Sequence, residues 1–361
     1  MNAFLQSDFF RLRPEARLAA WLALGLMVVV VLDQWHYWGA RDDFSFGYLV
    51  PFFVAYVLND RWPQLKAILL GSPDGKAALP VTPAQPGGFG AALDFVAALI
   101  VLFSLVLFLY GGVLRAVTGP DNDTAMSLGL GLGGFVLAMA FLVSRQDAQG
   151  RSLPLATRWR LVLLLFFPAL VWLISAPMLL VFETRIKGVL LQYVVGIVSG
   201  LFDFLGYSIY AEGNVLILPH GRVGVEDACS GIRSLTACMF SGSFLAAIFL
   251  DRFWKKILLL AMSAVLAFGM NIVRSLFLTG WAYAYGDGAL DSDFWGHPES
   301  LQDATGQFHD NPAFRFISVH DFAGYTVLGF TLVGLLLLIP LLNFKIDLGH
   351  DPHPPAPPAP V

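Results

Sequence analysis

Eight stretches of this 361-residue chain are apolar over lengths near the thickness of a bilayer, and no other feature restricts its fold as tightly. A helix rises ~1.5 Å per residue, so about 20 apolar residues cross a hydrocarbon core ~30 Å thick. The stretches fall at about 18–36, 46–58, 93–114, 126–144, 161–182, 229–250, 257–283 and 320–343. The second is short and contains Pro51. A further run from Val189 to Leu205 is interrupted by Gly196, Gly200 and Asp203. It is predicted as an interfacial or re-entrant amphipathic helix instead of a ninth span. The expected fold is therefore an all-α polytopic membrane protein of about eight transmembrane helices. An outer amphipathic helix and a short hairpin should precede the sixth.

Composition agrees. Only 13% of residues are charged and 57% are hydrophobic, where a soluble domain carries about 25% charged residues. A net charge of −4 without a long basic block points away from a nucleic-acid partner. The two cysteines, Cys229 and Cys238, lie nine residues apart in one apolar run. On a helix that is roughly 13 Å, too far for a disulfide. Arg11, Arg13 and Arg17 precede the first run, which continues into Asp33-Gln34-Trp35-His36-Tyr37-Trp38. An aromatic belt there fits a retained span better than a cleaved signal peptide.

Lysine and arginine set the orientation. With the N-terminus inside, 14 of the 22 basic residues fall in cytoplasmic segments, among them Arg61, Lys66, Arg145, Arg151, Arg252, Lys255 and Lys256. Six fall outside, and Arg233 and Arg274 lie within spans. A ninth span would move Arg252, Lys255 and Lys256 outside, so eight is preferred and both termini are expected in the cytoplasm. The chain then divides into a five-span region (1–182) with an inner Pro/Gly linker at 59–92, and an extracytoplasmic segment (183–228). A three-span region (229–343) and a Pro-rich cytoplasmic tail (344–361) follow. Within the extracytoplasmic segment, Asn214–Leu218 and Val223–Val225 are predicted to pair as a hairpin around Pro219-His220-Gly221.

This topology brings Cys229, Arg274 and His320 to one depth near the outer interface. Cys229 would open the sixth span, where the positive helix end favours a thiolate. Arg274 lies inside the seventh, and a guanidinium at membrane depth is costly unless it faces a cavity or partner. It can donate to an oxyanion or a substrate carbonyl. His320 opens the eighth and exchanges protons near neutral pH. Supporting groups follow at helical spacing: Arg233 four residues after Cys229, Ser230 beside it, and Asn271 three before Arg274. Glu226 precedes the cysteine and could pair with Arg233, and Asp321 follows His320. Cys238, without polar company, is a packing residue, and His36, His220, His297 and His309 are taken as structural. No Cys-x-x-Cys, His-Glu-x-x-His or Gly-rich phosphate loop is present, so neither a metal nor a cofactor is expected.

Three segments carry a family resemblance: Ala228-Cys229-Ser230-Gly231-Ile232-Arg233-Ser234, Asn271-Ile272-Val273-Arg274-Ser275 and Val319-His320-Asp321-Phe322-Ala323-Gly324. In sequence and order they resemble the signature motifs of the exosortase/archaeosortase family. Phe44-Ser45-Phe46-Gly47-Tyr48-Leu49-Val50-Pro51 is similar to an early family stretch, with Phe46 where the family has histidine. The resemblance implies a membrane cysteine peptidase or transpeptidase. Its substrates would be exported proteins with a C-terminal Pro-Glu-Pro-like motif, an apolar span and a basic cluster. It implies Cys229 as nucleophile, Arg274 as the group that stabilises the acyl intermediate or positions substrate, and His320 as acid/base. Partners would be those substrates, membrane lipids and an envelope amine acceptor. The competing reading is a transporter or envelope-polysaccharide assembly protein holding an anionic lipid-linked substrate through Arg233 and Arg274.

Overall fold

The computed structural model describes residues 8–71, 88–219, 221–224, 232–294 and 317–344. Nine long helices and one small sheet account for most of them: α1 (Pro14–Ala40), α2 (Val50–Leu70), α3 (Gly88–Thr118), α4 (Asn122–Val143), α5 (Leu155–Ile174), α6 (Leu180–Phe204), β1 (Tyr210–Glu212), β2 (Val215–Leu218), β3 (Gly221–Gly224), α7 (Ile232–Phe249), α8 (Phe253–Tyr285) and α9 (Val319–Asn343). A 3₁₀ helix, Asp42–Leu49, links α1 to α2. The three strands form an antiparallel sheet in the order β1-β2-β3. Its β2–β3 arm is the predicted hairpin, with Val215 opposite Gly224 and Leu218 opposite Gly221.

Among the described residues, seven helices are long and apolar enough to cross a membrane: α1, α3, α4, α5, α6, α8 and α9. Contacts between their ends decide which of them run through the bundle. The α1–α2 link touches the start of α7, where the Thr236 hydroxyl donates to the Asp43 carbonyl at 3.0 Å. The far ends of α7 and α9 meet where Asn343 Nδ2 donates to the Phe249 carbonyl at 3.0 Å. The end of α2 meets the α4–α5 turn through the Ala148 N–H on the Leu69 carbonyl. So α2 and α7 also run end to end, although Asn59, Asp60, Arg61 and Lys66 dilute the first and the second is short. Arg61 donates to the Ala247 carbonyl near the end of α7, which gives one of those charges a partner inside the bundle.

α6 is different. Its first turn is tied by Glu183 to Arg41 at 2.5 Å and to Asn122 at 3.1 Å, at the ends of α1 and α4. Its last turn packs Phe202 against Tyr283 near the end of α8, ring centroids 6.4 Å apart. Both termini therefore lie at the end of the bundle that carries the sheet. A helix of 25 residues whose two ends share one face lies across that face instead of through the bilayer, as the interrupted run predicts. It also begins earlier than expected. The span drawn to residue 182 stops at Ile174, because Pro177 offers no N–H and disfavours helix before it. Residues from Leu180 therefore belong to α6.

Two packing devices hold the bundle. Glycines let α3 and α4 approach closely, and a Cβ on Gly131 would sit 2.9 Å from both Phe108 Cβ and the Ser104 carbonyl oxygen. Close backbone approach at small residues is a principal source of helix association in lipid. Gln34 and Asp33, buried in the same region, each find a partner. Gln34, fully buried, donates to the Trp172 carbonyl at 3.0 Å and accepts from Ser175 Oγ at 2.7 Å. Asp33 accepts from Arg115 Nε at 2.5 Å. A second apolar cluster, including Leu191, Val194, Val198, Leu216, Leu278 and Val319, seats α6 and the sheet on α8 and α9.

Candidate active site

α8 extends past the start of α9, and its last turns, through Leu278 and Ala282, serve as the seat for the sheet. The chain then turns through Asp287–Leu290 and comes back to fix the start of α9. There the Val319 N–H donates to the Ser292 carbonyl at 3.0 Å and the Phe294 N–H to the Ile317 carbonyl at 3.0 Å. Phe294 and Phe322 stack with ring centroids 3.7 Å apart. Ser318 caps α9: its Oγ accepts from the Asp321 N–H at 3.0 Å and donates to Asp321 Oδ2 at 2.8 Å. The Ser-x-x-Asp spacing is an N-cap signal legible in the sequence. His320 sits inside this fixed turn.

Arg274 approaches from α8. Its Nη2 lies 3.1 Å from His320 Nε2. A guanidinium only donates, so Nε2 is the acceptor and the ring hydrogen is on Nδ1. That nitrogen is 4.0 Å from Asp321 Oδ1, beyond hydrogen-bond reach. Asp321 therefore caps the helix without gripping the ring. Arg274 also lies over the Gly324 face of α9, where an added Cβ would meet Nη2 at 3.7 Å. Its Nε is buried with no hydrogen-bond partner among the described residues, and so keeps a donor in hand. Asn271, 3% exposed, lies one turn earlier on α8, and its backbone carbonyl accepts from Ser275 Oγ at 3.0 Å.

Cys229, Ser230 and Glu226 lie outside the described residues. Arg233 opens α7 with an exposed side chain, three residues before Thr236, whose bond to Asp43 fixes that first turn on the 3₁₀ helix. Phe46, in the position where the family resemblance has histidine, stacks on Phe240 of α7 at 5.0 Å. It acts as an aromatic buttress for that helix. Cys238 is buried to 1% exposure, as its apolar surroundings predict. No cluster of metal ligands occurs among the described residues. What the structure brings together is Arg274, His320, Asp321 and Gly324, at the end of the bundle where α7 begins, with Asn271 one turn away along α8.

The family model described as transmembrane exosortase matches residues 38–337. No curated protein and no solved structure matches the chain.

Proposed function

The chain belongs to the transmembrane exosortase family, a family of membrane cysteine peptidases and transpeptidases, and from that premise we propose that it cleaves the C-terminal Pro-Glu-Pro-type sorting signal of exported proteins through a thioester on Cys229. The reaction is placed at the outer face of a bacterial cytoplasmic membrane. The placement rests on the charge bias that puts both termini inside. The observation that carries the proposal is the 3.1 Å contact between Arg274 and His320. It joins the second and third family motifs across two helices, at the end where α7, the helix that takes up the last residues of the first motif, begins.

In this reading the substrate's apolar span lies beside the last three helices and presents its motif at the interface. The Cys229 sulfur attacks the scissile carbonyl, and the negative charge that develops on oxygen draws the Arg274 guanidinium. Its movement from His320 to the oxyanion frees Nε2, which takes the proton from the Cys229 thiol as sulfur bonds to the carbonyl carbon and passes it to the departing amine as the C–N bond breaks. The apolar tail leaves and the thioester remains. An amine of an envelope acceptor, or water, then attacks the thioester while His320 takes the incoming proton, and the sulfur is released. Arg274 is thus a switch between two acceptors, the imidazole at rest and the oxyanion in reaction. Its buried Nε supplies a second donor for substrate.

The test is a tagged exported protein ending in Pro-Glu-Pro, an apolar span and a basic cluster, processed in membranes that contain this chain. Wild type should release the tail, and Cys229→Ala should leave the precursor intact at an equal level of folded protein. Normal processing by Cys229→Ala would overturn the proposal. Tolerance of Cys229→Ser together with severe loss on replacing Arg233 or Arg274 would favour the anionic-substrate reading instead.

A further inference from the structure

We propose that a trough beneath the first half of α1 is a binding site for an anionic glycerophospholipid, separate from the candidate active site and independent of the function proposed for it. α1 engages the bundle through its second half, where Val30, Asp33, Gln34, Tyr37 and Trp38 are buried; before Val30 only Ala19 is. Under the part that stands off, three cavities of about 630, 180 and 310 Å³ open in series. The first two share Ala20, Ala23, Trp62 and Leu165, and the second and third share Ala16, Met139 and Val143. Shared lining residues set them side by side along α1, and the first alone is of a size with ligand sites of ~300–1,000 Å³.

The lining changes character along its length. The two inner chambers are almost wholly apolar, and the outer one ends on Arg13, Glu15, Arg145 and Gln146, at the end of the bundle opposite the sheet. An apolar trough closed by guanidiniums at the interface has the polarity of a phospholipid, acyl chains inward and phosphate at the mouth. The cations have donors to spare. Arg13 bonds Glu15 at 3.1 Å, and the first is half-buried and the second exposed. The Arg145 side chain is 63% exposed and stands 3.7 Å from Asp94, whose carboxylate is taken by the buried Arg158. Two guanidiniums against one carboxylate leave the mouth net positive, which selects an anionic headgroup over a zwitterionic one. Trp62 lines both inner chambers. Basic pockets between helices on the cytoplasmic side are a recurrent form of anionic-lipid recognition.

The experiment uses the full chain purified in mild detergent and read by native mass spectrometry, with phosphatidylglycerol and phosphatidylcholine offered in competition. The protein should keep about one phosphatidylglycerol per chain through delipidation. Arg13→Gln combined with Arg145→Gln should weaken that retention about thirtyfold at low salt. Ala20→Phe, which fills the trough and leaves its charge alone, should weaken it as well, with helical content by circular dichroism unchanged in both variants. Equal retention of the two lipids by the wild-type chain would overturn the proposal whatever the variants do. Retention unmoved by either variant would also overturn it, since the lipid would then be annular only.

Discussion

Removing either partner of the Arg274–His320 contact should damage processing, and removing both should cost less than the two losses combined. The magnitude follows from the geometry. At 3.1 Å the guanidinium and the imidazole share one hydrogen bond, and a bond to a charged group is worth ~1.5–3 kcal/mol. Arg274→Lys keeps a charge but gives up the planar fork, and should lower kcat/KM by about 10–150-fold. Arg274→Met removes the oxyanion donor as well, about 10²–10³-fold. His320→Ala removes the proton carrier, about 10²–10⁴-fold. If the two side chains acted independently, the double variant would lose the product of those factors. Because they touch, the double-mutant cycle should close short of that by ~0.5–3 kcal/mol. The assay is the initial rate of tail release from a tagged substrate in proteoliposomes, normalised to folded enzyme by fluorescence-detected gel filtration. Strictly multiplicative losses would refute a functional contact, and an Arg274→Met variant within about threefold of wild type would refute the role of the guanidinium altogether.

Three further expectations concern the scaffold. Ser318→Ala removes the α9 cap on which the His320 turn depends and should cost about 1 kcal/mol, seen as a lower melting temperature together with slower processing; an unchanged rate would separate the cap from the site. Gly131→Val places a side chain where only 2.9 Å separates an added Cβ from Phe108 and Ser104. It should cost ~1–3 kcal/mol or more in thermal unfolding, while Gly25→Ala, with nothing within 4 Å, should be neutral or stabilising. Phe46→Ala deletes the stack on Phe240 and should lower stability by at least ~0.5–1.5 kcal/mol. A Phe46→His variant that processes substrate faster than wild type would mean that this position reads substrate instead of bracing α7.

Much of the architecture was legible because the solvent is hydrocarbon. Runs such as 93–114 and 320–343 had to become helices close to α3 and α9, since length and apolarity leave few alternatives. The hairpin from Val215 to Gly224 followed from its alternation and turn residues. Boundaries were less legible where polar residues sit inside helices. α2 continues to Leu70 through Asp60, Arg61 and Pro63, because Arg61 finds the Ala247 carbonyl on a helix distant in sequence. Ser318 and Gly324 were visible in the chain, but their roles were not. One caps the turn that holds His320, and the other gives the Arg274 guanidinium a bare stretch of α9 to lie on.

Sequence alone determined that this is a multi-pass helical membrane protein, and that thiol, guanidinium and imidazole are offered by three successive apolar segments. Hydropathy reports whether each residue prefers lipid, but it does not say which way a helix axis points. Only the tertiary structure laid α6 across the bundle, by tying Glu183 to Arg41 at one end and Phe202 to Tyr283 at the other. Spacing along a helix likewise fixes depth but not rotation about the axis. The turn of α8 that faces Arg274 to His320 is set by packing against the sheet and α9, and that packing is a property of the folded bundle.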